Sequence, residues 1–154
     1  MKVYELTRKQ FFPIDLKEAW DFFSSPSNLA LITPSRLAFK ILSNTGERQM
    51  YAGQVIHYKI TILPGIRMRW VTEITHVNVP YLFIDEQRSG PYALWQHLHR
   101  FTAVGGGVEM VDELKYAIPM GWFGRLAHSL FVKKEVNAIF DYRYAVLEKR
   151  FGGK

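Results

Sequence analysis

From residue 37 to residue 117 the chain reads as strand after strand, each cut off by turn-forming residues. Strands are predicted near 37–42, 54–63, 67–78, 81–88, 93–104 and 108–117. The punctuation is Leu63-Pro-Gly-Ile66, Asn78-Val-Pro80, Ser89-Gly-Pro91 and Gly105-Gly-Gly107, residue types that reverse the chain. Connections this short make antiparallel neighbours. Upstream, a strand over 2–12 ends at Pro13, and Asp15 stands at an N-cap with Glu18 as its capping-box partner. The helix so opened, 16–23, carries Leu16, Ala19, Trp20 and Phe23 on one side, and a second short helix is expected over 27–31. After Pro119 and Gly121 comes one long helix, 124–150, with Phe140, Tyr144, Leu147 and Phe151 at three- and four-residue spacing. An antiparallel sheet with one apolar face must cover that face, and the last helix is the only sizeable cover. The expectation is an α+β chain in β-α-α-β6-α order: a curved antiparallel sheet of about seven strands wrapped around the C-terminal helix.

Alternation decides which side chains lie under that helix. Residues two apart on a strand share a face, so Phe83–Phe101 puts Asp85, Gln87, Trp95, His97 and His99 on one surface. The simplest hairpin registers set Phe101 opposite Met110, His99 opposite Asp112, Trp95 opposite Tyr116, and Asp85 near His97. Carried backwards, the same face collects Met68, Trp70, Thr72 and Ile74, then Ile56, Tyr58, Ile60 and Ile62. The other face holds His57, Lys59, Arg67, Arg69, Glu73, Glu86, Gln96, Arg100, Glu109, Glu113 and Lys115, and is the wet one. Asp85, Gln87, His97, His99 and Asp112 therefore point inward. Buried polar groups need partners, and the expected pairs are Asp85 with His97 and His99 with Asp112.

The 154 residues suit a single domain over 1–154. Four Trp, eight Tyr and eleven Phe suit an aromatic core or an aromatic-lined cavity equally well. The net charge of +6 is scattered, without an Arg-rich arm or finger spacing, so a soluble basic face explains it better than nucleic acid. With no cysteine there is neither a disulfide framework nor thiolate chemistry. The first ten residues lack a signal-peptide core and no apolar run is long enough to span a bilayer. The expected setting is cytoplasmic, with no stable membrane insertion, as monomer or homodimer.

The pattern resembles the START-like superfamily (SRPBCC, or Bet v 1-like), in its polyketide cyclase/dehydrase and lipid-transport branch. The residues that carry the resemblance are Phe83-x-Asp-Glu-Gln-x-x-Gly-Pro-Tyr92, Trp95-x-His-x-His-x-Phe101, Asp112-x-x-x-Tyr116 and Pro119-x-Gly121, which look like a bacterial ligand-binding subgroup. The resemblance implies a helix-grip fold with a deep cavity between sheet and last helix, in which members bind lipids, sterols, polyketides, quinones or plant hormones. Some members are aromatases or cyclases.

Three functional readings follow. The favoured one is a binding module for a hydrophobic small molecule such as a lipid, polyketide or quinone, without a cofactor. Its walls would be Tyr58, Trp70, Trp95, Phe101 and Tyr116, with Asp85, Gln87, His97, His99 and Asp112 among the ligand-binding residues. The alternative is a non-covalent acid–base enzyme of cyclase, dehydratase or hydrolase type, using His97 with Asp85 or His99 with Asp112; there is no nucleophile elbow for covalent catalysis. The third, a metal held by His97-x-His99 with Asp85 or Asp112, rests on a weak pattern, and no metal is assigned. Against all three, the same groups make sense as a satisfied polar layer that fixes hairpin register. Trp122-Phe123, near the start of the last helix, suits core packing better than contact with a membrane or partner.

Overall fold

The computed structural model describes residues 1–43, 49–63 and 65–152. A strand, β1 (Tyr4–Phe12), leads into helix α1 (Leu16–Phe23), followed by 3-10 turns at Pro26–Ile32 and Ser35–Leu37. Six more strands follow: β2 (Lys40–Ile41), β3 (Val55–Leu63), β4 (Ile66–Asn78), β5 (Leu82–Ser89), β6 (Leu94–Val104) and β7 (Gly107–Ala117). The C-terminal helix comprises α2 (Gly121–Ala127), a π-helical turn (His128–Val132), α3 (Lys133–Leu147) and a last π turn (Glu148–Gly152). All seven strands form one antiparallel sheet in the order β1-β7-β6-β5-β4-β3-β2. This is the expected helix-grip architecture.

Local chemistry accounts for the element ends. The Asp15 carboxylate accepts the Glu18 backbone N–H at 2.7 Å, satisfying one of the free donors of α1. Val104 pairs with Gly107, so Gly105-Gly106 is a two-residue hairpin, and every expected β6–β7 partnership follows from it: Phe101 with Met110, His99 with Asp112, Trp95 with Tyr116. Asp85 lies across from His97. In the expected turn at 63–66, Pro64 lies outside the described residues.

Four sequence expectations are corrected in detail. The segment expected as a helix over 27–31 is a 3-10 turn, since Pro26 and Pro34 leave too little room for α-helical propagation. The strand expected over 37–42 shrinks to Lys40–Ile41, because Ala38 adopts a left-handed backbone at the end of the second 3-10 turn. Two bulges shift the pairing of β4 with β5, one at Arg88 of β5, between the Val71–Ser89 and Thr72–Gln87 pairs, and a second at Thr75 of β4, between Ile74 and His76. After the second, Val77 packs on the core and His76 faces solvent. Finally, the C-terminal helix buries Val136, Phe140, Arg143 and Leu147. The expected aromatic stripe fails at Tyr144, which is 44% exposed while Arg143 is 7% exposed.

The helix is fastened at both ends of α3. From β1, Arg8 donates to the Asn137 side chain at 2.7 Å and Gln10 to the Tyr144 carbonyl at 3.0 Å. From the second 3-10 turn, Arg36 donates to Glu135 at 2.7 Å. Beneath it, Phe12, Trp20, Phe23, Phe83, Phe101 and Leu147 belong to one apolar cluster. Phe101→Ala should cost about 3–5 kcal/mol, as truncation of a fully buried aromatic does, whereas Asp15→Ala, which removes one cap bond, should cost about 1 kcal/mol. Urea unfolding of the two variants should show that order.

Candidate functional site

The concave face of the sheet, the 3-10 segment and α3 enclose a cavity of about 150 Å³. β3 and β4 contribute Tyr58, Trp70 and Thr72, the β5–β6 loop Tyr92, and β6 Trp95. Their rings pack on one another: Trp70 edge to face with Trp95 at 5.2 Å, Tyr92 tilted against Trp95 at 4.7 Å, and Tyr58 stacked on Trp70 at 5.9 Å between ring centroids. The Tyr58 hydroxyl is hydrogen-bonded to Thr72 Oγ1 at 2.6 Å. Burial holds the Tyr58 and Tyr92 phenols well above their usual range, so both stay protonated.

One corner of this apolar space is ionic. Asp85, His97, His99 and Arg143 line it, and Asp112 stands behind them, 6% exposed. Although cross-strand register sets Asp85 opposite His97 and His99 opposite Asp112, the short hydrogen bonds run diagonally. His97 Nε2 meets Asp112 Oδ1 at 3.0 Å, and His99 Nε2 meets Asp85 Oδ2 at 2.7 Å. The register partners are also near: His99 Nδ1 lies 3.1 Å from Asp112 Oδ1, and His97 Nδ1 lies 3.7 Å from Asp85 Oδ2. Arg143 reaches down from α3 with Nη2 at 3.3 Å from both Asp112 Oδ1 and His99 Nδ1.

The titration of these groups follows from their positions. Burial raises a carboxyl, but the bond from His99 and the nearby His97 and Arg143 charges more than offset it at Asp85, which sits below its ordinary value. At Asp112 burial is likewise opposed, first by Arg143 and then by both histidines, and the carboxyl is held well below the usual range. Burial and the neighbouring His99 charge lower His97. His99 suffers the same burial, yet its two carboxylate partners raise it. When His99 is protonated and His97 is neutral, two carboxylates, the Arg143 guanidinium and the one imidazolium cancel.

Of the residues singled out by sequence, Tyr58, Trp70, Asp85, Trp95, His97 and His99 line the cavity. Gln87, Phe101, Asp112 and Tyr116 stand outside its wall. Phe101 packs in the core against Phe23 at 5.2 Å. The Tyr116 hydroxyl is hydrogen-bonded to His128 Nε2 at 2.8 Å. Gln87 fastens the β5–β6 loop: its amide donates to the Tyr92 carbonyl at 2.7 Å and accepts the Tyr92 N–H at 3.2 Å. The amide passes so close to Gly90 that a Cβ there would lie 2.4 Å from Gln87 Oε1, which accounts for Gln-x-x-Gly-Pro-Tyr. Arg143 and Tyr92 were not among the expected site residues. The signal for Arg143 is its place in the Val136, Phe140, Arg143, Leu147 stripe, where a cation is out of pattern.

Asp85, His97 and His99 also bring ligand-type atoms within 4.8 Å of one another. The fit to a cation is poor. Both Nε2 atoms are engaged by carboxylates, and the Arg143 charge stands beside them.

Solved structures share this fold over nearly the whole chain. Protein CV1439 from Chromobacterium violaceum matches 98% of this chain and 99% of its own, with a TM-score of 0.72 at 8% identity. Protein TTHA0849 from Thermus thermophilus matches 96% of each chain, with a TM-score of 0.70 at 17% identity. A point mutant of norcoclaurine synthase from Thalictrum flavum, solved with a transition-state analogue, matches 97% of each chain, with a TM-score of 0.65 at 14% identity. No family model and no curated protein matches the sequence. The fold is that of the Bet v 1-like, helix-grip proteins; at these identities the likeness is one of fold.

The cluster makes stability depend on pH from both sides. Asp85 and Asp112, held low, contribute fully above about pH 4 and lose that contribution as pH falls through their folded values. His97, also lowered, contributes above about pH 6.5 and loses it as pH falls through its folded value. His99 is raised, so its contribution is complete below about pH 6.5 and is lost as pH rises through its folded value. At about pH 6.5, imidazole NMR should show His99 charged and His97 neutral, and His99→Gln should abolish the alkaline loss while leaving the acid one. Arg143→Met should cost about 3–5 kcal/mol by stranding Asp112, and adding Asp112→Asn should recover part of that loss in a double-mutant cycle.

Proposed function

We propose that the chain binds a small hydrophobic molecule carrying one hydroxyl, its apolar body among Trp70, Tyr92 and Trp95 and its polar group at the His97–His99 corner. The observation that carries this reading is the composition of the cavity: aromatic and aliphatic walls with a few polar groups, of which Asp85, His97, His99 and Arg143 cluster together, the usual make-up of a small-molecule site. Its volume is that of a space which holds one aromatic ring. A lipid, polyketide or quinone larger than that enters only if wall side chains move. Neutral His97 spends its Nε2–H on Asp112, and its Nδ1 makes no hydrogen bond among the described residues, leaving an acceptor for a ligand hydroxyl. The chain acts as one domain in the cytoplasm, as monomer or homodimer, without a cofactor. The outer-face cations Arg88 and Arg100 are paired with Glu73, Glu86 and Glu113, which speaks against a nucleic-acid footprint.

The second reading, a non-covalent acid–base enzyme, draws on the same lowered His97, a neutral imidazole able to take a proton. What weighs against it is that Asp85, Asp112 and Arg143 already engage both Nε2 atoms and His99 Nδ1.

Phenol and toluene, of nearly equal size, separate the polar corner from the apolar walls. In titration calorimetry both should bind, phenol more tightly by about 1 kcal/mol for the added hydrogen bond, and Ile139→Trp, which fills the cavity from α3, should abolish both. Equal affinity for the two, or binding that survives Ile139→Trp, would remove the proposed site. Native mass spectrometry of untreated protein should show a small apolar adduct. Turnover of an enol or β-keto substrate that is lost in His97→Gln would favour the enzyme instead.

A further inference from the structure

The C-terminal helix turns its large apolar residues the wrong way at its start. Trp122, Phe123, Leu126 and Leu130 fall within about 100° of one another on a helical projection, and they are 57%, 56%, 50% and 74% exposed. The face directed at the protein carries Gly124, His128 and Val132 instead. A Cβ on Gly124 would lie 2.0 Å from the Pro119 carbonyl oxygen, so the helix sits directly on the backbone before it. No large side chain fits beneath α2, and the bulky ones project outward. The expected core packing of Trp122-Phe123 is thereby overturned; their rings stack on each other, 3.7 Å between centroids, at the surface.

A contiguous apolar strip of this kind marks an interaction surface, and its charge setting points to the occupant. From residue 114 to residue 134 there is no Asp or Glu, while Arg125, Lys133 and Lys134 are exposed along the same helix. Aromatic and leucine side chains flanked by cations are the composition of a helix that lies in the headgroup region of an anionic bilayer. A second copy of the chain suits the strip less well. A two-fold contact would bring the same cations of both copies together with no acidic partner on the segment. No described helix is long and apolar enough to cross a membrane, so any contact through this strip is peripheral.

We infer that α2 and the following π turn form a docking face for anionic lipid surfaces, with Trp122, Phe123, Leu126 and Leu130 entering the headgroup layer and Arg125, Lys133 and Lys134 pairing with lipid charges. The inference is independent of what fills the cavity.

Sedimentation with vesicles of phosphatidylcholine alone, or of phosphatidylcholine with roughly one quarter phosphatidylserine, tests it. The protein should pellet with the mixed vesicles and not with the neutral ones, and high salt should release it. Trp122→Ser with Phe123→Ser, and separately Lys133→Glu with Lys134→Glu, should each lower the bound fraction roughly tenfold. Neither pair removes a core contact, so the unfolding midpoint should stay near wild type. Tryptophan emission should shift to shorter wavelength on binding, and that shift should vanish in Trp122→Phe. Failure to bind the mixed vesicles overturns the inference. So does a concentration-dependent dimer that the Trp122→Ser, Phe123→Ser pair dissolves, since the face is then occupied by a second copy.

Discussion

A single buried carboxylate oxygen organises the interior. Asp112 Oδ1 lies within 3.3 Å of His97 Nε2, His99 Nδ1 and Arg143 Nη2. It projects from β7, which β1 and β6 flank. A charge placed so deep is tolerable only when paired and hydrogen-bonded. Two partners come at no topological cost, because His97 and His99 are two residues apart on β6 and share its inward face. The third must come from across the cavity. Arg143 reaches Asp112 only when α3 presents the face that also carries Val136, Phe140 and Leu147. Apolar packing alone leaves that rotation loosely determined, since Tyr144 offers as much apolar surface one position further round. The guanidinium fixes which neighbour turns inward.

The same arrangement lets His99 change charge without leaving an orphan. As an imidazolium it donates from Nε2 to Asp85 and from Nδ1 to Asp112. As a neutral ring it keeps the first bond, and its Nδ1 accepts from Arg143. Asp112 retains Arg143 and His97 in either case. The cluster thus changes its charge while keeping its geometry. It gives the cavity a polar end whose proton inventory responds to what lies beside it, through the field at His99 and the free lone pair at His97.

The legible part of this protein is the part governed by local rules. Turn chemistry and strict alternation placed β5, β6 and β7 in register, because a one-residue slip would expose Phe101, His99 and His97 together. The diagonal hydrogen bonds were out of reach for the same rule: register specifies which Cα atoms face each other, not which way an imidazole leans. Arg143 interrupts the aromatic spacing of the helix, and a cation in a core stripe becomes meaningful only once Asp112 is known to sit beneath it. Gln87 resembled a ligand contact until the loop geometry wrapped its amide around Gly90. The bulge after Ile74, which sends His76 out and Val77 in, has no residue signature comparable to the Gly105-Gly106 turn.

The C-terminal helix joins two segments with opposite logic. Over α3, burial of Val136, Phe140 and Leu147 holds the helix against the sheet, and polar Asn137 and Asp141, with Glu148 just beyond, accept from Arg8 and Gln10 of β1. Over α2, close contact through Gly124 excludes large side chains from beneath, and the apolar residues lie on the solvent side. The π turn between them adds a residue to the helical circuit and rotates one face relative to the other. His128 starts that turn, stacked on Tyr4 at 3.4 Å and bonded to Tyr116, so the rotation is anchored to β1 and β7. If α2 simply continued the α3 pattern, Trp122 would fall on the face that carries Val136 and Phe140, with Phe123 on its flank. Holding them outward leaves that end of the sheet to His128, and the position of the exposed strip is then set by the sheet itself.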